Sequence, residues 1–207
     1  MLPQAFWISL RVLFFRAGPE DLPYDSGRVL SFACIVFGVL ANSAVAMISA
    51  QGALQTHTLT AMPPAAFMVV VGVAAVLAMG LFTRLALQAR QLENRFQQTF
   101  NTLLLTSSVL SLVMVPPMRL MIPLLSLFQK LEAHPELAND PATIAALPPW
   151  SLLLSLLLLG LLVWQFAVTA YIYRRAANVK VGGGILIALL CVFSIASFKS
   201  LFSLLFI

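Results

Sequence analysis

Residues 151–164 read SLLLSLLLLGLLVW and open a strongly hydrophobic run, Ser151 to Tyr171, that carries no charged side chain. At about 1.5 Å per helical residue, such a run crosses a hydrocarbon core about 30 Å thick. Four further segments share its character. Leu30 to Ala50 (LSFACIVFGVLANSAVAMISA) and Ala65 to Phe82 (AAFMVVVGVAAVLAMGLF) are uncharged. Leu103 to Phe128 is interrupted by Pro116-Pro117 and then Arg119, and Ile185 to Ile207 holds a single charge, Lys199. Backbone amides in lipid must find partners within the segment, and no β-barrel alternation is present, so these runs are expected to be helices.

The expected fold is therefore an all-α polytopic integral membrane protein with five transmembrane helices. Its spans fall approximately at residues 30–50, 65–83, 102–128, 150–172 and 184–207, within one domain over residues 29–207. Residues 1–28 form a cytoplasmic interfacial helix and linker ahead of it. Composition agrees: 61% of the 207 residues are hydrophobic and only 9% charged, against about 45–50% and about 25% in soluble domains. A mean hydropathy of +0.98 excludes a disordered chain, which would be poor in apolar residues. So many spans leave no length for a sizeable catalytic ectodomain.

Charge fixes the expected orientation. Arg11, Arg16 and Arg28 precede the first span, Arg84, Arg90 and Arg95 follow the second, and Arg174, Arg175 and Lys180 join the last two. The opposite loops carry only Lys130, alongside Glu132, Glu136 and Asp140. Nine basic residues on one side against one on the other place the N-terminus in the cytoplasm and the C-terminus outside. The net charge of +5 thus reports topology; without a basic stripe interleaved with aromatics, nucleic acid is not expected as a partner. Arg11 and Arg16 interrupt the place of a signal-peptide core, so residues 1–28 are expected to be retained. Phe6, Leu10, Leu13 and Phe14 share helical spacing, for a helix lying in the membrane interface or packed under the cytoplasmic ends of the spans. It should stop before Gly18-Pro19.

Little in the chain looks catalytic. HExxH, CxxC, GxSxG and Walker-type glycine loops do not occur. His57 and His134 fall in separate external loops and read as solvated. Cys34 and Cys191 lie in apolar runs and read as small buried hydrophobes. Neither an enzymatic activity, nor a cofactor, nor a metal site is expected. Gly182-Gly183-Gly184 lacks the Lys-Ser/Thr of a phosphate loop and reads as a hinge into the last span. The pairs Ser107/Ser111, Ser151/Ser155, Ala74/Ala78 and Ala196/Ser200 let helices approach closely, within the bundle or between copies. Asn42 and Gln165 are expected to seek partners across helices.

Arg119 and Lys199 are cations inside apolar segments, where charge is costly and a functional role or snorkelling is the choice. Counted from Thr102 and Gly184, both sit at similar depth near the outer boundary. At least one is expected to pair with Glu132, Glu136, Asp140 or a lipid phosphate, with Arg119 the better candidate through its planar fork. Pro116 and Pro117 should kink or end the third helix, sending Met118 to Phe128 toward the outer interface.

Three stretches carry a resemblance to a known family. LRVLFFRAGPEDLPYDSGRVL leads into the first span, QLENRFQQTFNTLLLTSSVLSLVMVPP follows the second, and YRRAANVKVGGG joins the last two. In these patterns of hydropathy and loop chemistry the chain resembles the bacterial branch of the Ypt-interacting (YIP) family of five-span membrane proteins. The YGP-type motif and long cytosolic N-terminal region of eukaryotic members do not occur in it, so Rab-GTPase binding does not carry over. The resemblance implies a non-enzymatic role in membrane organisation, or as a scaffold for a protein partner, in the inner membrane of a bacterium. It supplies no catalytic residues. A small transporter or permease subunit with a site near the broken third helix is the alternative.

Overall fold

The computed structural model describes residues 2–23, 28–134 and 148–204. Its helices are α1 (Leu2–Leu13), α2 (Val29–Gln55), α3 (Ala65–Gln88), α4 (Phe96–Ala133), α5 (Ser151–Ala176) and α6 (Val181–Leu204), with 3-10 turns at Pro19–Asp21 and Glu93–Arg95. Among the described residues there is no strand. α2 to α6 are each long and apolar enough to cross a membrane, so the expected all-α, five-span fold is present. Proline marks the approach to α3, whose N-cap is Pro64 in extended backbone (φ −62°, ψ 150°).

Four helices end in the same way. Phe15, His57, Gln91 and Asn178 all adopt left-handed backbone. In each case the next amide reaches back five residues, as in Leu92 N to Leu87 O at 3.0 Å and Val179 N to Arg174 O at 3.1 Å. This is the Schellman closure, here without its usual glycine. It folds the chain back sharply, so that α5 and α6 are joined by only Ala177 to Lys180.

α4 corrects one expectation. It does not end at Pro116-Pro117 but continues through Pro116, Pro117 and Pro123 to Ala133, 38 residues in all. Each proline removes one amide donor, yet neighbouring helices re-satisfy such positions in membrane bundles. Pro117 is buried while Pro116 is exposed. α4 also begins at Phe96, a turn and a half before the expected start near residue 102.

The five long helices close into a ring. α2 packs on α3, α3 on α6, α6 on α5, α5 on α4, and α4 back on α2, with α3 and α4 also touching across the middle. Lipid supplies no hydrophobic drive between helices, so the ring depends on close van der Waals packing. Cys34, Val76, Leu104, Ile172, Tyr173, Ala188 and Cys191 form its core. Two glycines permit the tightest crossings. A Cβ on Gly72 would sit 2.6 Å from Val39 O on α2, and one on Gly184 would sit 2.7 Å from Ala170 O on α5. Gly182 to Gly184 therefore form the first turn of α6 rather than the expected hinge. Of the small-residue pairs, Ala74 and Ala78 are buried inside the ring, Ser155 approaches Met121 of α4, and Ala196 and Ser200 are exposed.

α5 is the least covered of the five candidate spans: Leu152, Leu153, Leu156, Leu159 and Val163 are all exposed. α1 packs on α4 and α5, burying Ala5, Ser9, Val12 and Leu13. Of the residues at helical spacing, Leu13 is buried and Leu10 half-buried, while Phe6 and Phe14 stay exposed along with Trp7. Ser9 tolerates burial because its hydroxyl donates to Phe6 O at 2.7 Å.

Candidate functional site

Helix ends that carry the basic residues meet at one end of the ring. α4 enters there through QQTFNT, residues 97–102, and α2 through Arg28-Val29-Leu30-Ser31. Gln97 Nε2 and Asn101 Nδ2 both donate to Ser31 Oγ at 3.0 Å. Gln98 Nε2 donates to Leu22 O at 2.8 Å, tying the N-terminal segment to α4. Thr99, Thr102 and Thr106 are buried by donating to carbonyls four residues back. Asn101 Oδ1 and Ser108 Oγ are buried without a hydrogen-bond partner among the described residues.

A second polar group lies deeper, between α3, α5 and α6. Thr83 Oγ1 donates to Met79 O at 2.7 Å and lies 2.8 Å from the Tyr173 hydroxyl. Tyr173 in turn is 3.3 Å from Cys191 Sγ. All three residues are buried, and the Phe82 ring meets Tyr173 edge-on at 6.1 Å. Both cysteines are buried and free, as expected.

The N-terminal segment is fastened to α5. Glu20 forms an ion pair with Arg175, and Asp21 Oδ2 accepts from Gly18 N at 2.7 Å, closing the turn. Arg175 also sits over the Tyr171 ring, 5.9 Å from its centroid. Phe15 packs on Trp164 at 5.3 Å and on Tyr171 at 5.2 Å. Trp164 lies about 18 Å along α5 from Ala176 at 1.5 Å per residue. The segment therefore docks on the flank of α5, not only beneath the helix ends. Arg95 Nη1 donates to Ala176 O at 3.4 Å and Arg175 O at 3.5 Å, capping the negative end of α5. Arg95, Arg174, Arg175 and Glu20 line a cleft of about 370 Å³ at this end, with Asn178 and Val179.

Arg119 and Lys199 are not brought together. Arg119 is exposed and lines a second cleft of about 380 Å³ with Gln51, Leu54, Gln55, Ile122 and Pro123. Lys199 is half-buried, its Nζ 3.4 Å from Asn42 Oδ1 on α2. Asn42 and Gln51 are nine residues apart on α2, about 14 Å along the axis. The two cations thus sit at different depths, contrary to the expected equal depth. Lys199's neighbour is an amide rather than an acid. Of the acids, Glu132 is exposed near the end of α4; Glu136 and Asp140 lie outside the described residues. Asn42 meets the expectation of a partner across helices, while its Nδ2 donates to Gly38 O at 2.9 Å on its own helix. The Gln165 side chain makes no hydrogen bond among the described residues.

Sequence reasoning missed the Thr83, Tyr173 and Cys191 group, because three residues far apart in the chain give no local pattern. It also missed the burial of the polar start of α4, which the QQTFNT composition signalled. Among the described residues, no three His, Cys, Asp or Glu side chains gather as a metal-binding group. His57 is exposed and closes α2. Comparison of the chain with protein-family models, with curated proteins and with solved structures finds no match.

Proposed function

We infer that the protein is a non-enzymatic membrane scaffold, similar in plan to YIP-family proteins, with its N-terminus and basic helix ends in the cytoplasm and its C-terminus outside. In a bacterium it would sit in the inner membrane, with α1 at the cytoplasmic interface among lipids. The observation that carries this reading is the fastening of the N-terminal segment at the end of the bundle where the basic helix ends meet. An N-terminal helix and turn are locked to α4 and α5 through Gln98, Glu20 and Arg175, giving a shaped surface for a protein partner. Trp7 and Phe6, exposed on α1, suit the headgroup level of a bilayer. Mild-detergent pull-down of the tagged full chain tests the reading. A stoichiometric protein lost on Glu20→Arg exchange supports it; a chain recovered without stoichiometric partners contradicts it.

The transporter reading draws on Lys199, a half-buried cation beside Asn42 within membrane-spanning helices, since such residues mark ion and substrate pathways. Substrate-dependent flux in liposomes that Lys199→Leu abolishes would favour it over the scaffold.

A further inference from the structure

We propose that the cleft at the basic end of α5 and α6 is a binding site for the phosphate of an anionic lipid headgroup. Four cations from three parts of the chain meet there: Arg95 before α4, Arg174 and Arg175 at the end of α5, and Lys180 ahead of α6. Arg95, Arg174 and Arg175 line a cleft of about 370 Å³. An adjoining hollow of about 440 Å³ shares Arg174, Asn178 and Val179 with it and adds Lys180. Glu20 is the one carboxylate among the lining residues, and it is held by Arg175. Arg95 spends one guanidinium nitrogen on the terminal carbonyls of α5. Arg174 and Lys180, both exposed, have no anionic partner among the described residues. The cleft therefore keeps an unbalanced positive charge, with guanidinium forks suited to phosphate oxygens.

Position argues for a lipid as the source of the phosphate. Tyr171 stands about 5 Å below Arg174 along α5, packed with Phe15. Such aromatic residues gather at headgroup level. Further along, α5 exposes Leu162, Leu159 and Leu156, and α6, whose Gly184 lies against Arg174, exposes Leu186 and Leu189 beyond it, apolar flanks along which acyl chains can lie. Basic pockets between transmembrane helices are the form that headgroup recognition takes. The site is independent of any protein partner; only the choice of leaflet rests on the N-in orientation.

The test uses the purified full chain in neutral detergent, titrated with phosphatidylglycerol, with phosphatidylcholine of the same acyl chains, and with inorganic phosphate. Phosphatidylglycerol is expected to bind preferentially, with inorganic phosphate at equal concentration competing little. Arg174→Gln and Lys180→Gln should each weaken it about fivefold, and the double variant about thirtyfold. Arg84→Gln with Arg90→Gln, which removes equal charge from exposed positions outside the cleft, should change it less than about twofold. Equal loss from both pairs, or no preference for phosphatidylglycerol, would overturn the site. Full competition by inorganic phosphate would overturn the lipid as its ligand. If the double variant fails to fold, the single variants carry the same comparison. Because the measurement is made in detergent, a reversed orientation leaves its result unchanged.

Discussion

Tyr173 gives the sharpest handle on what holds the ring closed. Its hydroxyl is buried between Thr83 on α3, 2.8 Å away, and Cys191 on α6, 3.3 Å away, so one atom joins three helices. Tyr173→Phe keeps the ring and its edge-on contact with Phe82 and removes only that oxygen. Thr83 retains its bond to Met79 O, so the change strands no buried donor. The cost is then that of an interhelical hydrogen bond in a membrane protein, about 0.6 kcal/mol on average and up to about 1.7. Thr83→Val removes the same contact from the other side. The two changes together should cost less than their sum, with a coupling of about 0.6–1.7 kcal/mol. Reversible unfolding in mixed micelles, with both single variants and the double, measures it. Additive effects would refute the lock. Tyr173→Ala, which also opens a cavity, should cost about 3–5 kcal/mol.

Gly184→Val should destabilise the α5–α6 pair, since its Cβ meets Ala170 O at 2.7 Å and Arg174 Cβ at 2.8 Å. Gly182→Ala, with nothing within 4 Å, should stabilise α6 by about 0.5–1 kcal/mol; thermal melts in detergent that rank the two the other way would contradict the close crossing. Lys199→Leu should raise thermal stability, because a cation at membrane depth is costly, about 2.5–3.5 kcal/mol on insertion scales at a helix centre. An unchanged or lowered melting temperature would mean that the Lys199 contact with Asn42 offsets that cost.

The helical class and the five spans were legible because hydropathy alone demands them: an uncharged run such as Ala65 to Phe82 has no other stable state in lipid. What stayed hidden depended on neighbours. The proline pair at 116–117 signals a break locally, but α4 is packed on α2 and α5 and carries its helix through. Gly182 to Gly184 read as a hinge until Ala170 and Arg174 are seen against Gly184. The placement of α1, in the interface or packed under the spans, stayed open because a helix between a bundle and lipid is apolar on both sides, so periodicity does not select the buried face. Arg119 and Lys199 were placed at one depth by counting along single helices, whereas the α2 residues beside them, Gln51 across a shared cleft and Asn42 in contact, differ by nine residues. Arg95, Arg174, Arg175 and Lys180 were visible as topology signals, but not as the lining of one cleft.

Orientation underlies both the scaffold and the leaflet of the lipid site, and reporter fusions along the full chain test it directly. Fusions after Gln55 and after His134 should report outside, and fusions after Arg90 and Arg175 should report the cytoplasm, as the nine basic residues on one side predict. A cytoplasmic signal from the His134 fusion would mean that α4 does not cross, and the five-span, N-in account would fall.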